Sequence, residues 1–330
     1  MKILEARQYL KSAENLPNAA VETPMVSVMV ITYNHAKYIA QALQSVLDQQ
    51  IDFSLKINVI DDCSTDGTQE IIKEFKALNP DKINLYINKE NIGFQVTQKN
   101  FYRGFKTLNG KYIAILEGDD YWNSPLKLKT QIDFLEKNPD FVACAHNVLK
   151  VYEGSNIAPH VFLEPPSKDT HDIFDLIKLS SYFHTTTLTY RNVLKDNPPP
   201  QFENKLSCDL FITIAHAQYG KIRFFPEIMS VYRCHSGGRF SGMSETQGWM
   251  FNIDGYRKYN AWLRYKYFKA FAGAIYRYSE YLLTHGKTVD GLSFWKRRKY
   301  RLIMVFYRAL FVYAEGRRLS VFRPDRLFRP

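Results

Sequence analysis

The chain has 330 residues, 45% hydrophobic and 23% charged, with a formal net charge of +11. That length allows one large domain or two modest ones with a substantial core, and the composition excludes a disordered chain. No run of about 20 apolar residues occurs, so no transmembrane helix is expected, and the opening "MKILEARQYLKSAENLPNAA" lacks the continuous apolar stretch of a signal peptide.

The charge is uneven. Residues 245–330 hold 18 Lys/Arg against 6 Asp/Glu and 21 of the 49 aromatic residues, whereas the preceding residues are nearly neutral. This shift marks a boundary, giving an N-terminal extension at 1–24, a catalytic domain at 25–244 and a basic, aromatic, helical region at 245–330. Cys63, Cys144, Cys208 and Cys234 are far apart and form no CxxC pair. A zinc site or disulfide framework is not expected, and reduced thiols fit a cytoplasmic protein.

The elements then follow in chain order. "MVSVMVITYN" (25–34) is an unbroken β-branched run and reads as a strand. Ile39, Ala42, Leu43, Val46 and Leu47 recur at helical spacing after it. "LKINVIDD" (55–62) is a second strand, "CSTDGT" a turn rich in capping residues, and "QEIIKEFKAL" a helix. "INLYIN" (83–88) and "KYIAIL" (111–116) are further strands. Ser124 and Pro125 read as N-cap and first residue of a helix that buries Leu128, Ile132 and Leu135. "FVACAHNVLKVY" (141–152) and "HTTTLTYR" (184–191) read as strands, and "LSCDLFITIAHAQYG" (206–220) as a helix. Alternating strands and helices predict an α/β fold with a mixed, mostly parallel, Rossmann-like sheet flanked by helices and a C-terminal helical extension.

In such sheets, ligands bind beyond the carboxyl ends of the strands. Thr32-Tyr33, Asp61-Asp62 and the acidic cluster Glu117, Asp119 and Asp120 all lie at such ends. Two carboxylates a few ångströms apart repel by roughly 1–4 kcal/mol, so "KYIAILEGDDYW" needs an offsetting charge. Hard carboxylate oxygens suit Mg²⁺ or Mn²⁺, which also bind substrate phosphates. The acidic pair of "NVIDDCSTDGT" suits hydrogen bonds from a base or a ribose. Solvated, helix-capping aspartates are the alternative reading of both clusters. His146, His184 and His216 read as structural histidines.

"VSVMVITYNHAKYIAQALQSVLDQ", "INVIDDCSTDGT", "NKENIGF", "GKYIAILEGDDYW", Cys208-Asp209 and "VYRCHSGGRFS" stand in the order and spacing of their counterparts in another group of proteins. Over residues 25–241 the chain resembles the family 2 glycosyltransferases. That resemblance implies a GT-A fold and inverting transfer of a hexosyl or N-acetylhexosaminyl group. The donor would be a nucleotide-diphosphate sugar, UDP-linked, and the acceptor a hydroxyl of a glycan or lipid-linked molecule in cell-surface polysaccharide synthesis. It implies nucleotide contact by Thr32 and the adjacent Tyr33, uracil recognition by Asp62, and a nucleotide-side loop at Asn91 and Gly93. It also implies sugar and ribose contact by Asp119, Mn²⁺ or Mg²⁺ binding by Asp120 with His235, and a general base at Asp209. Glu117 has no role carried over and reads as orienting the loop or a bound water. The family often has Glu-Asp where this chain has Cys208-Asp209. The Gln-x-x-Arg-Trp motif of processive synthases is absent, so a single addition is expected.

Two other classes stay in view. A nucleic-acid-binding protein would use the basic aromatic tail, but the acidic strand ends of the near-neutral front oppose it, and no nucleic-acid partner is expected. A metal-dependent phosphohydrolase needs a nucleophile at the first strand end, where the chain has Thr32. In the tail, Arg297, Arg301 and Arg308 fall on one side of a helix. This suits a peripheral protein on the anionic inner face of the plasma membrane, with a helical pair packed on the catalytic domain as the alternative.

Overall fold

The computed structural model describes residues 23–91, 104–162, 168–179, 183–195, 208–237, 245–285 and 294–314. Their strands join one sheet in the order β3-β2-β1-β4-β9-β6-β10-β5. These are β1 Val26–Thr32, β2 Leu55–Asp61, β3 Ile83–Ile87, β4 Tyr112–Glu117, β5 Tyr121–Trp122, β6 Phe141–Tyr152, β9 Thr189–Arg191 and β10 Lys221–Cys234. Two short strands, β7 His160–Val161 and β8 Thr170–His171, pair with β6 and β10. β1 to β4 are mutually parallel where they pair, and β6 runs parallel to β10, whereas β9 and β5 are antiparallel to their neighbours.

Alternation along each strand feeds two cores. Val26, Val28 and Val30 of β1, with Tyr112, Ala114 and Leu116 of β4, face α1 (Ile39–Leu47), α2 (Thr68–Leu78) and α3 (Lys127–Lys137). Met29 of β1 and Ile113 and Ile115 of β4 face the other way. There they meet α4 (Ile173–Leu179), α5 (Cys208–His216) and the helices after 245. A strand buried on both faces has no polar alternation, which is why β1 and β4 read as continuous apolar runs.

The C-terminal region forms α6 (Glu245–Trp262), α7 (Phe268–His285) and α8 (Phe294–Ala314). Tyr256 and Tyr259 of α6, Phe271 and Ile275 of α7, and Tyr300 of α8 belong to the same core as Ile113 and Ile115. The aromatic density of this region therefore goes largely into packing. No helix among the described residues is long and apolar enough to cross a membrane.

Two local readings shift. α3 begins at Lys127, because Ser124 forms a turn ahead of it: Leu126 N–H donates to Ser124 Oγ at 3.3 Å and Lys127 N–H to Ser124 O at 3.4 Å. Only Thr189–Arg191 of the 184–191 stretch is strand; Thr185–Thr187 is a 3₁₀ turn. Thr187 Oγ1 donates to His184 O at 2.7 Å, and Thr186 N–H to His184 Nδ1 at 3.4 Å. Such local side-chain bonds compete with the sheet ladder.

Candidate active site

Three strand ends form one rim because their registers align. Thr32 stands opposite Asp61, and Ile31 opposite Glu117. One step beyond, Asp62 N–H donates to Thr32 O at 3.0 Å and Gly118 N–H to Ile31 O at 2.8 Å. Gly118 has no room for a side chain: a Cβ would stand 2.7 Å from Thr32 Oγ1 and 3.0 Å from His35 Nδ1. Those two polar atoms are themselves buried with no hydrogen-bond partner. Buried polar atoms are normally satisfied, so a bound polar group would complete them.

The two aspartates after β2 have different tasks. Asp61 is fully buried and holds the turn, accepting from Ser64 N–H at 2.9 Å, from Ser64 Oγ, and from Gln69 Nε2 at 3.0 Å. Asp62 is 6% exposed and accepts from Asn88 Nδ2 at 2.8 Å. Asp66 caps α2, taking Thr68 N–H at 3.0 Å, and its other oxygen takes Ala36 N–H at 3.0 Å. The loops after β1 and β2 are thereby tied together.

The "EGDD" carboxylates are separated in depth. β5 pairs Tyr121 with Val231 and Trp122 with Ser230, which brings Asp119 and Asp120 beside the end of β10. Asp120, 1% exposed, points inward and accepts Arg233 N–H at 2.9 Å. Asp119 stays at the rim with His235 Nε2 3.2 Å and His35 Nε2 3.6 Å from its Oδ2. The sequence reading pairs His235 with Asp120 as metal ligands; the fold seats His235 against Asp119.

Their electrostatics diverge accordingly. Burial works against the Asp119 charge, but the His235 hydrogen bond and the nearby His35 outweigh it and hold this carboxyl below its usual range. Burial above all, then the negative charges of Asp119 and Glu117, push Asp120 well above that range. Behind it stands His184, with Nδ1 3.9 Å from Asp120 Oδ2 and its ring 4.2 Å from that of Tyr232. Burial pulls the His184 imidazole down to about 4, so it is neutral at pH 7.

Arg233 locks the arrangement. Its Nη1 donates to Asp119 O at 2.5 Å and its Nη2 to Gln41 Oε1. Its guanidinium lies 5.1 Å from the Tyr38 ring centroid and 4.5 Å from that of Tyr121. Glu153 binds Tyr38 OH at 2.7 Å and Lys37 Nζ at 2.5 Å. A positive charge thus sits behind the acidic loop rather than in front of it.

The fold brings Thr32, Asp62, Asp119, Asp120 and His235 to one edge. Tyr33 is 41% exposed there. Asn91 is exposed at the end of a described segment, and Gly93 lies outside the described residues. Asp209 is in the first turn of α5, its side chain outside those described. Sequence reasoning missed His35 and Arg233, although "TYNHAKY" and "VYRCH" put both next to motif residues, and it set His184 aside as structural. His146 and His216 are buried, each with Nδ1 2.8 Å from a backbone carbonyl, of Asn147 and Ile212 respectively.

The donor set fits a divalent cation. Ligand atoms of Glu117, Asp120 and His184 lie within 4.8 Å of one another, and Asp119 with His235 offers a second, more exposed carboxylate–imidazole pair. Mixed oxygen and imidazole donors suit Mn²⁺ better than they suit Ca²⁺.

Named relatives match only part of the chain. The teichuronic acid biosynthesis glycosyltransferase TuaG of Bacillus subtilis, named as putative, is 30% identical over 149 residues, covering 45% of this chain and 56% of that protein. An uncharacterized protein of Mycobacterium tuberculosis is 32% identical over 214 residues, 64% of this chain and 60% of the relative. The chain thus spans about 60% of the length of that relative. Among solved structures, S. aureus TarS in complex with UDP-GlcNAc superposes with a TM-score of 0.56 at 19% identity, over 89% of this chain and 93% of that one, a likeness of fold. The sequence profile described as Glycosyl transferase family 2 matches residues 27–197. Because that match takes in more than half of the chain and every strand end that carries the acidic rim, the chain belongs to glycosyl transferase family 2.

Proposed function

We propose that the protein transfers a single sugar, hexosyl or N-acetylhexosaminyl, from a UDP-linked donor to a hydroxyl of a glycan or lipid-linked acceptor, with inversion. The acceptor belongs to cell-surface polysaccharide synthesis, at the cytoplasmic face of the membrane. The observation that carries this reading is the rim: Thr32 Oγ1 buried and unpartnered beside Gly118, with Asp62 and Asp119 on either side of it. A ribose or base hydrogen-bonds there to Thr32 and Asp62, and the diphosphate lies toward Asp119. The names of TuaG and of the TarS complex support a surface-polysaccharide product and a UDP donor.

Asp119 and His235 hold the cation in this reading, since both keep some exposure toward the rim while Asp120 is sealed behind them. Bound there, Mn²⁺ or Mg²⁺ neutralises the charge growing on the diphosphate leaving group. A second reading places the cation among Glu117, Asp120 and His184, whose donor atoms converge. Asp209, at the start of α5, is the general base that takes the proton of the acceptor hydroxyl.

Calorimetry of UDP with and without Mn²⁺ tests the proposal. Binding that requires the metal, that is lost in His235→Ala and that is kept in His184→Ala supports the first donor set. The reverse pattern supports the second. No metal-dependent binding of any nucleoside diphosphate or its sugar conjugates sinks the transferase reading.

A further inference from the structure

Helix α8 has two apolar faces, and packing uses one of them. Tyr300 is 4% exposed, and Ile303 and Tyr307 pack against the core. Phe311 lies over α7 at Gly273, where a Cβ would come within 2.8 Å of its ring. A separate face, about 120° around the helix, carries Trp295, Leu302 and Phe306, spaced i, i+7 and i+11 and therefore aligned along one stripe. They are 70%, 54% and 58% exposed. Large exposed apolar side chains in line mark an interaction surface rather than an ordinary one.

The stripe is bordered by charge of a single sign. Between Phe294 and Ala314 stand six Lys/Arg and no Asp/Glu, and Arg297, Arg298, Lys299 and Arg301 are exposed. Arg298 lies 5.8 Å from the Trp295 ring centroid, and Lys299 Nζ lies 3.7 Å from Asp254 Oδ1 of α6. On a helical projection Arg298 and Lys299 flank the stripe, about 60° to one side and about 40° to the other, whereas the arginines at 297, 301 and 308 lie about 140° around the helix from it.

We propose that this face of α8 docks the protein on an anionic lipid surface, lying in the interface with Trp295, Leu302 and Phe306 entering the acyl boundary. Three considerations select that occupant. The basic flank complements anionic headgroups while the apolar line takes hydrocarbon, the combination an interfacial helix needs. Nucleic acid would engage the arginines but leave Leu302 and Phe306 in water. A second copy packed symmetrically would set two acid-free helices of like charge face to face. The use of this contact rests on the transferase reading, since it brings the site to a lipid-linked acceptor, but the binding itself does not.

The experiment is vesicle co-sedimentation of the full chain, without nucleotide or metal. The vesicles are phosphatidylcholine alone or phosphatidylcholine with 30 mol% phosphatidylglycerol, a composition chosen for the assay (roughly the charge density that attracts basic segments). Wild type should sediment with the anionic vesicles and far less with the neutral ones. Replacing Arg298 and Lys299, the charges that flank the stripe, by Gln should weaken this on the order of 30-fold, from two charges near the surface, and should lower its salt dependence. Replacing Trp295, Leu302 and Phe306 by Ser should remove the binding that survives high salt. Circular dichroism and metal-dependent UDP binding, measured on the same variants, report folding and the site separately. Wild type that ignores anionic vesicles, or folded variants that bind as wild type does, would overturn the proposal. So would a wild-type dimer that the Ser variant dissociates while vesicles go unbound, which would make the stripe a homotypic interface. Loss of UDP binding with vesicle binding intact would overturn the transferase reading alone.

Discussion

Asp120→Asn should make the metal-free protein more stable at neutral pH. Asp120 is fully buried, and a donor oxygen of Glu117 lies within 4.8 Å of one of its own. Two unit charges at that separation and an effective dielectric near 20 repel by about 3.5 kcal/mol. The gain is capped, because wild type can instead take up a proton on Asp120. From an ordinary value of 3.8, protonation at pH 7 costs about 4 kcal/mol. Asparagine keeps an oxygen for the Arg233 N–H, which now bonds Asp120 Oδ1 at 2.9 Å, and removes the charge. A net gain of about 1–3 kcal/mol follows, or a Tm higher by roughly 1–4 °C for a chain of this length. The sign with pH is set by the direction of the shift. The folded carboxyl ionises at higher pH than the unfolded one, so above 3.8 the folded state holds the extra proton and wild-type stability falls as pH rises. The variant lacks that fall, and the two should converge as the pH drops toward 3.8. Scanning calorimetry in chelator from pH 4 to 8 measures this. A variant less stable than wild type at pH 7, or a difference that does not change with pH, would refute the reasoning.

Other substitutions probe other parts of the molecule. Gly118→Ala forces a methyl to 2.7 Å from Thr32 Oγ1; it should cost about 1–3 kcal/mol of stability and abolish UDP binding, whereas an unchanged affinity would remove Thr32 from the nucleotide site. Asp209→Asn should keep donor affinity and lower transfer by about 10²–10⁴-fold, read by single-turnover assay with acceptor; near-normal transfer would send the search to another carboxylate. Lys127 is fully buried, with Nζ 3.0 Å from Thr189 Oγ1 and 4.1 Å from the Trp122 ring centroid, and burial holds it well below the usual lysine range. The unfolded lysine therefore binds a proton that the folded one lacks, and stability rises with pH up to about the ordinary value of 10.5. Lys127→Met should leave stability equal or higher at pH 7 and flatten that rise between pH 7 and 9; an unaltered slope in thermal melts counts against a neutral Lys127.

Local chemistry was enough to read the frame of the site. "MVSVMVIT", "INVID" and "KYIAIL" announce buried strands because a residue flanked by cores on both faces has no polar alternation to show. Polar residues directly after such runs must lie at strand ends, and crossovers of one hand put those ends on one edge. Thr32, Asp62 and the "EGDD" carboxylates were therefore legible as a rim, and the ordered motifs resembled the family to which the chain belongs.

Only the tertiary structure decided what each carboxylate faces. β10 lies more than 100 residues beyond Asp119, and nothing local says that β5 will pair with it. That pairing turns Asp120 onto the Arg233 N–H, leaves Asp119 between His35 and His235, and makes one acid harder and the other easier to ionise. His184 enters through a 3₁₀ turn where β-propensity reads strand, because its own ring and the Thr187 hydroxyl satisfy the backbone within the turn. The tail shows the same division. Periodicity set Arg297, Arg301 and Arg308 on one side of the helix that becomes α8, but which of its apolar residues would be buried depends on where α7 and the core stand. Tyr300 and Phe311 meet those neighbours, and Trp295, Leu302 and Phe306 stay more than half exposed, because a helix laid on a surface can cover only one of its sides.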